Sequence, residues 1–151
     1  MTQIFTTHSV EETREVGKRF AQTLKPGMLI CFEGNLGAGK TTFIQGLLEE
    51  LGAEKPFVSP TFILMKQYDL PIRQTGLYSP TTAGIKWVYH ADAYRLGAKE
   101  FREIGFEEWI ADSDGVTLLE WPERIADLLP EKYVTVKIES VSETERRIVI
   151  N

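Results

Sequence analysis

A chain of 151 residues, 42% of them hydrophobic, has the length of one domain and enough apolar side chains for one core, so a single domain over 1–151 is expected. Its 22 acidic residues outnumber 17 basic ones, for a formal net charge of −5. That balance argues against a protein that grips DNA or RNA by itself, because neutralising a phosphate backbone needs a basic face. No apolar run approaches the roughly 18 residues of a membrane span. The opening MTQIFTTHSVEE has neither the basic start nor the apolar stretch of a secretion signal, and a cytoplasmic location is expected. The one cysteine, Cys31, lies inside an apolar run and reads as a small buried hydrophobe.

In chain order, Ser9 and Glu12 have the spacing of a capping box. Val10, Thr13, Val16, Phe20 and Leu24 then recur at near-helical spacing, which predicts a helix over 10–24 ended by Pro26 and Gly27. Met28 to Phe32 are continuously apolar, as in a strand buried on both faces. After the run GNLGAGKTT (34–42), the residues Phe43, Ile44, Leu47, Leu48 and Leu51 form one apolar stripe, and Gly52 is a suitable helix stop. TFILMKQY (61–68) and KWVYH (86–90) predict strands. The segment between them, DLPIRQTGLYSPTTAGI (69–85), is rich in Pro, Gly, Ser and Thr and reads as a long loop or extended hairpin tip. Residues 97–111 read as helical with a break near Gly105, 116–119 as a short strand ending at Glu120, and 122–129 as a helical turn or short helix. YVTVKIESV (133–141) and RRIVI (146–150) alternate apolar with polar, which suits a half-exposed antiparallel pair.

Gly34, Gly39, Lys40 and Thr41 fit G-x-x-x-x-G-K-[ST], the phosphate-binding P-loop. Glycine permits backbone angles that other residues avoid, so successive N–H groups can turn inward around an anion. The following helix adds the positive end of its dipole. In this arrangement Lys40 reaches the β- and γ-phosphates, and the Thr41 hydroxyl suits magnesium. A strand before and an amphipathic helix after give the motif its required context. Such a site also needs an acid at the end of another strand. Glu120 and Asp92 both qualify, one at magnesium and one orienting the attacking water, and spacing alone does not say which. The absence of an N-K-x-D stretch favours ATP over GTP.

The blocks GNLGAGKTTF (34–43), SPTF (59–62), HADAYRL (90–96) and LLEWPER (118–124), in that order over most of the chain, resemble the TsaE family, also called YjeE. The P-loop is common to many families; the other three blocks together are more specific. The fold expected is α/β, a P-loop nucleotidase-like three-layer sandwich whose mixed sheet is flanked by helices, with a C-terminal antiparallel strand pair. The resemblance implies a bacterial P-loop ATPase needed to make threonylcarbamoyladenosine in tRNA, with ATP and Mg2+ as cofactors. It implies that Leu36, Gly37, Ala38, Gly39, Lys40 and Thr41 cradle the phosphates and that Thr42 also belongs to the nucleotide-binding residues. Lys40 would sit on the phosphates, and Thr41 and Glu120 on magnesium. Asp92 would act in hydrolysis through water, Thr61 as a switch near the γ-phosphate, and Trp121 beside the nucleotide. The segment Thr7 to Glu11 would lie near the adenine. Tyr94 and Arg95 match the family block as well, through packing and a surface ion pair, or with Arg95 as an internal charge-stabilising group. The implied partners are TsaD and TsaB, which hold tRNA while this chain hydrolyses ATP, weakly when alone, to reset them. One departure is the connection over 69–85, longer than the family's usual turn. The P-loop by itself also admits a small metabolite kinase, or a nucleotide-gated binding module.

Overall fold

The computed structural model describes residues 1–71 and 84–151. Its elements are β1 (Gln3–Thr7), α1 (Val10–Ala21), β2 (Leu29–Glu33), α2 (Lys40–Leu51), β3 (Met65–Asp69), β4 (Trp87–Asp92), α3 (Ala98–Glu103), α4 (Phe106–Ala111), β5 (Gly115–Glu120), a 3-10 helix (Pro122–Leu128), β6 (Val134–Ser140) and β7 (Arg146–Ile150). Among the described residues the strands form one seven-stranded sheet in the order β1-β7-β6-β2-β5-β4-β3. Its centre, β6-β2-β5-β4, is parallel. Antiparallel strands close both sides, β7 and β1 on one and β3 on the other. No helix among the described residues is long and apolar enough to cross a membrane.

Alternation along the central strands produces three layers. Ile30 and Phe32 of β2 pack with Phe20, Phe43 and Leu47 under α1 and α2, while Leu29 and Cys31 pack with Phe101, Phe106 and Trp109 under α3 and α4. β2 and β5 are buried nearly throughout, the condition for their continuous apolar runs. Burial drives the Cys31 thiol up to about 12, so it is an inert core residue. The register sets Phe32 beside Glu120 and Glu120 beside Asp92, so β2, β5 and β4 end level with one another. A site at the carboxyl ends of a parallel sheet follows from that alignment.

The predicted elements are present with shifted limits. α1 is capped by the Ser9 hydroxyl, which accepts from Glu12 N at 3.1 Å, and the Glu12 carboxylate accepts from His8 N at 2.6 Å. The helix stops at Ala21 rather than at Leu24, as Thr23 and Leu24 turn back to the Phe20 and Ala21 carbonyls. The strand expected over 61–68 begins only at Met65. Leu64 adopts φ 69° and its N–H donates to Pro60 O, so the preceding residues fold into a turn that leaves Phe62 and Ile63 exposed. Gly105, with φ 106°, splits the helical stretch into α3 and α4. The C-terminal pair is antiparallel, and β6 also joins β2 in parallel. β1 was not expected: it is an edge strand whose QIFTT is mostly exposed, so its pattern is faint. Most of the 69–85 connection, residues 72–83, lies outside the described residues.

Two glycines that helix propensity disfavours set how α1 meets α2. A Cβ on Gly17 would fall 2.1 Å from Phe43 O, and one on Gly46 would fall 2.1 Å from Arg14 O. The helices therefore touch backbone to backbone, and the Phe20 and Phe43 rings pack beside the crossing at 5.7 Å. Gly17→Ala sets a propensity gain of about 1 kcal/mol against an overpacking cost of about 1–3 kcal/mol. A backbone carbonyl cannot swing aside as a side chain can, so net destabilisation in urea unfolding is expected. Unchanged stability would show that the two helices separate freely.

Candidate active site

The loop from Gly34 to Gly39 joins the end of β2 to the start of α2. Gly34, Gly37 and Gly39 have φ of 149°, 78° and 112°, values at which a side chain is strained. A Cβ on Gly34 would also meet Ile138 O at 2.5 Å, so β6 presses on the loop from behind. Among the described residues α2 has no side-chain cap and no acid in its first turn, whereas α1 has Ser9, Glu11 and Glu12. The first N–H groups of α2 are thus not taken by a side-chain cap, the condition under which a helix N-terminus can receive an anion.

Lys40 is buried, and its ammonium donates to Gly34 O at 2.5 Å. It also lies 4.0 Å above the centre of the Trp121 ring. Burial pulls its pKa down, while Glu120, Asp92 and Glu123 oppose that shift. Trp121 follows β5 directly in a left-handed conformation, φ 58°, which turns the chain into the 3-10 helix. Tyr94 packs on Trp121 at 4.9 Å, and the Arg124 guanidinium lies 4.9 Å over Tyr94.

Asp92 and Glu120 are the last residues of β4 and β5 and face each other in register. Asp92 is itself the final residue of β4, which runs two residues past the stretch 86–90 expected for that strand. Its carboxylate accepts from Tyr94 N at 2.8 Å and from the Thr61 hydroxyl at 3.2 Å. Burial raises its pKa, the Tyr94 and Thr61 hydrogen bonds and Lys40 pull against that, and the Glu120 charge adds to the rise. Glu120 Oε2 lies 2.9 Å from His90 Nε2, and both side chains are buried. The donors available to a cation here are hard oxygens. Among the described residues no group of three His, Cys, Asp or Glu side chains is placed to hold an ion alone. Carboxylate oxygens are donors of the kind Mg2+ takes, one or two at a time, with phosphate and water completing its shell.

Beside the loop is a cavity of about 430 Å³ lined by His8, Ser9, Thr13, Thr42 and Arg146, with Gly37 and Gly39 at its edge. Its size suits a nucleoside, and it brings the N-terminal segment to the loop flank where Thr42 sits. A second cavity, about 510 Å³, has Leu36, Ala38 and Trp121 among its walls.

The structure therefore gathers Lys40, Trp121, Asp92, Glu120 and Thr61 into one cluster. Thr42 lies on the flank, Thr41 borders a small void shared with Ser59 and His90, and Leu36 projects at the loop tip with 79% exposure. Arg95 stacks over Phe62 at 4.4 Å, so it packs on the Thr61 turn. Sequence reasoning gave no role to His90, Arg124 or Arg146. For His90 a signal existed: in a strand it shares a face with Asp92, two residues on. Arg124 and Arg146 reach the site through tertiary packing that no local pattern announces.

A glycine-rich loop between a buried parallel strand and a helix, with a lysine and two acids converging on it, defines a P-loop protein of the α/β class. The family model described as "Threonylcarbamoyl adenosine biosynthesis protein TsaE" matches residues 7–148, and the chain belongs to the TsaE family. It is 36% identical over 138 residues to the tRNA threonylcarbamoyladenosine biosynthesis protein TsaE of Bacillus subtilis (strain 168), covering 91% of this chain and 78% of that one. It is 34% identical over 143 residues to the protein of that name from Treponema pallidum (strain Nichols), covering 94% and 95%. The crystal structure of YdiB from the same Bacillus superposes with a TM-score of 0.75 at 31% identity, over 99% of this chain and 84% of that one.

Proposed function

We propose that this chain is a Mg2+-dependent ATPase that serves the machinery for threonylcarbamoyladenosine in tRNA, as partner of TsaD and TsaB. The observation that carries the reading is Lys40, a buried cation at the mouth of the glycine loop with Asp92 and Glu120 beside it. Its two contacts, Gly34 O and the Trp121 ring, are ones a phosphate can replace. On ATP binding the ammonium moves from these to the β- and γ-phosphates, while the loop N–H groups take the phosphate oxygens. Thr41 and Glu120 would hold Mg2+, which would supply positive charge against the phosphate oxygens. Asp92 accepts a hydrogen bond from the attacking water and orients it. Thr61, bonded to Asp92, ties that acid to the 59–62 turn, so the turn responds to whether the γ-phosphate is present.

The chain's acidic balance leaves tRNA contact to the partners. Arg95 and Arg124 rest on aromatic rings and Arg146 donates to backbone carbonyls of the β6–β7 turn, so charge stabilisation is incomplete and turnover by the isolated chain is slow. The test is ATP hydrolysis with Mg2+ by the chain alone, then with TsaD, TsaB and tRNA. Slow turnover that rises with the partners is expected. No rise removes the partner mechanism, and acceptor-dependent ADP release would favour a kinase.

A further inference from the structure

We infer that His90 is a positioning residue whose one polar task is to fix the Glu120 carboxylate for the metal. This rests on the proposal that Glu120 is a Mg2+ ligand. The His90 and Glu120 side chains are 4% and 7% exposed, and Nε2 lies 2.9 Å from Oε2. A carboxylate accepts, so Nε2–H donates. The other ring nitrogen, Nδ1, is buried and has no partner among the described residues. A buried imidazole with an unmet nitrogen is an unfavourable way to fill a core. Among the described residues the ring's single hydrogen bond is to Glu120, so what the imidazole contributes beyond volume is that bond.

The strand geometry makes the contact specific. His90 is in register with Leu118, and Asp92 with Glu120, so His90 reaches Glu120 diagonally across β4 and β5. One strand thus sets two positions on the same face: Asp92 at its end, and behind it the residue that holds the neighbouring acid. With Oε2 committed to His90, Oε1 has no partner among the described residues. That leaves one oxygen aimed and available, the condition a metal ligand needs if it is not to swing between rotamers.

The test compares His90→Leu, His90→Gln and His90→Asn with Glu120→Gln, using ADP affinity in EDTA and then across a Mg2+ titration. His90→Leu is expected to raise the half-saturating Mg2+ about 10- to 100-fold while ADP affinity in EDTA is retained. Glutamine places an amide near the ring Nε2 position and is expected to restore most of the Mg2+ response; the shorter asparagine is expected to behave like leucine. If leucine prevents folding, the glutamine–asparagine comparison carries the test. An unchanged Mg2+ midpoint in His90→Leu, no difference between glutamine and asparagine, or an equal loss of affinity in EDTA overturns the inference. Glu120→Gln separates the two levels. If it shifts the Mg2+ midpoint and His90→Leu does not, only the role of His90 is lost. If Glu120→Gln itself shifts nothing, the metal assignment falls as well.

Discussion

Replacement of Lys40 by alanine is expected to abolish measurable ATP turnover and to weaken ATP binding at the same time. A hydrogen bond to a charged group contributes about 1.5–3 kcal/mol, so affinity should fall on the order of 10- to 150-fold. Turnover falls further, because charge builds on the transferring phosphoryl group beyond the ground state. Among the described residues no neighbour is placed to substitute. Arg95 and Arg124 are stacked on Phe62 and Tyr94, the Arg146 guanidinium donates to the Ser142, Glu143 and Glu145 carbonyls, and among the described residues Lys40 alone reaches both Gly34 and Trp121. Arginine at this position should not rescue. A planar guanidinium cannot reproduce a compact ammonium in a loop packed so closely on β6 that a Cβ on Gly34 would fall 2.5 Å from Ile138 O. Calorimetric ATP titration and single-turnover hydrolysis, read on the same preparation, check both losses. Turnover that survives Lys40→Ala would remove the site assignment.

The parts of this site that the sequence announces are those set by local chemistry. Glycine at positive φ followed by Lys-Thr is legible because only that residue type makes the loop. Apolar runs ending in Asp92 and Glu120 are legible because buried strands need them. What the sequence does not announce depends on register. Nothing local says that Asp92 and Glu120 stand side by side, which requires β4 and β5 to pair in parallel with that alignment. The contact of His90 with Glu120 has the same origin. The strand expected from Thr61 failed for a different reason: β propensity favours TFIL, but Leu64 at φ 69° and the bonds from Thr61 to Asp92 and from Asp92 N to Leu64 O hold a turn there. Exposed Phe62 and Ile63 are the visible cost of that turn. Gly17 and Gly46 look like helix defects in sequence and become the α1–α2 contact only in three dimensions.

Asp92→Asn is expected to lower turnover about 10²- to 10⁴-fold, the range for loss of a positioned acid or base, while ATP binding stays close to that of the unmodified chain. It is also expected to make the protein more stable. Burial raises the Asp92 pKa above its ordinary value of 3.8, and the neighbouring Glu120 charge adds to that. A carboxyl whose pKa is raised on folding binds its proton more tightly in the folded state. Its ionised form therefore opposes folding at neutral pH, and the opposition fades as pH falls through the raised value. Asparagine removes the charge and keeps the geometry. Its Oδ1 can accept from Tyr94 N, and its amide can donate to the Thr61 hydroxyl where the carboxylate accepted. A gain on the order of 1 kcal/mol corresponds to about 2–4 °C in Tm at this length. The gain should shrink in acid, where the native carboxyl is already neutral, and thermal melts at neutral and acidic pH read that trend directly. A less stable variant would mean that the charge is structural, held by Lys40 rather than kept for the reaction. Unchanged turnover would take Asp92 out of the chemistry. Lower turnover together with higher stability is the signature of a carboxylate kept ionised beside Glu120 for what it does to water.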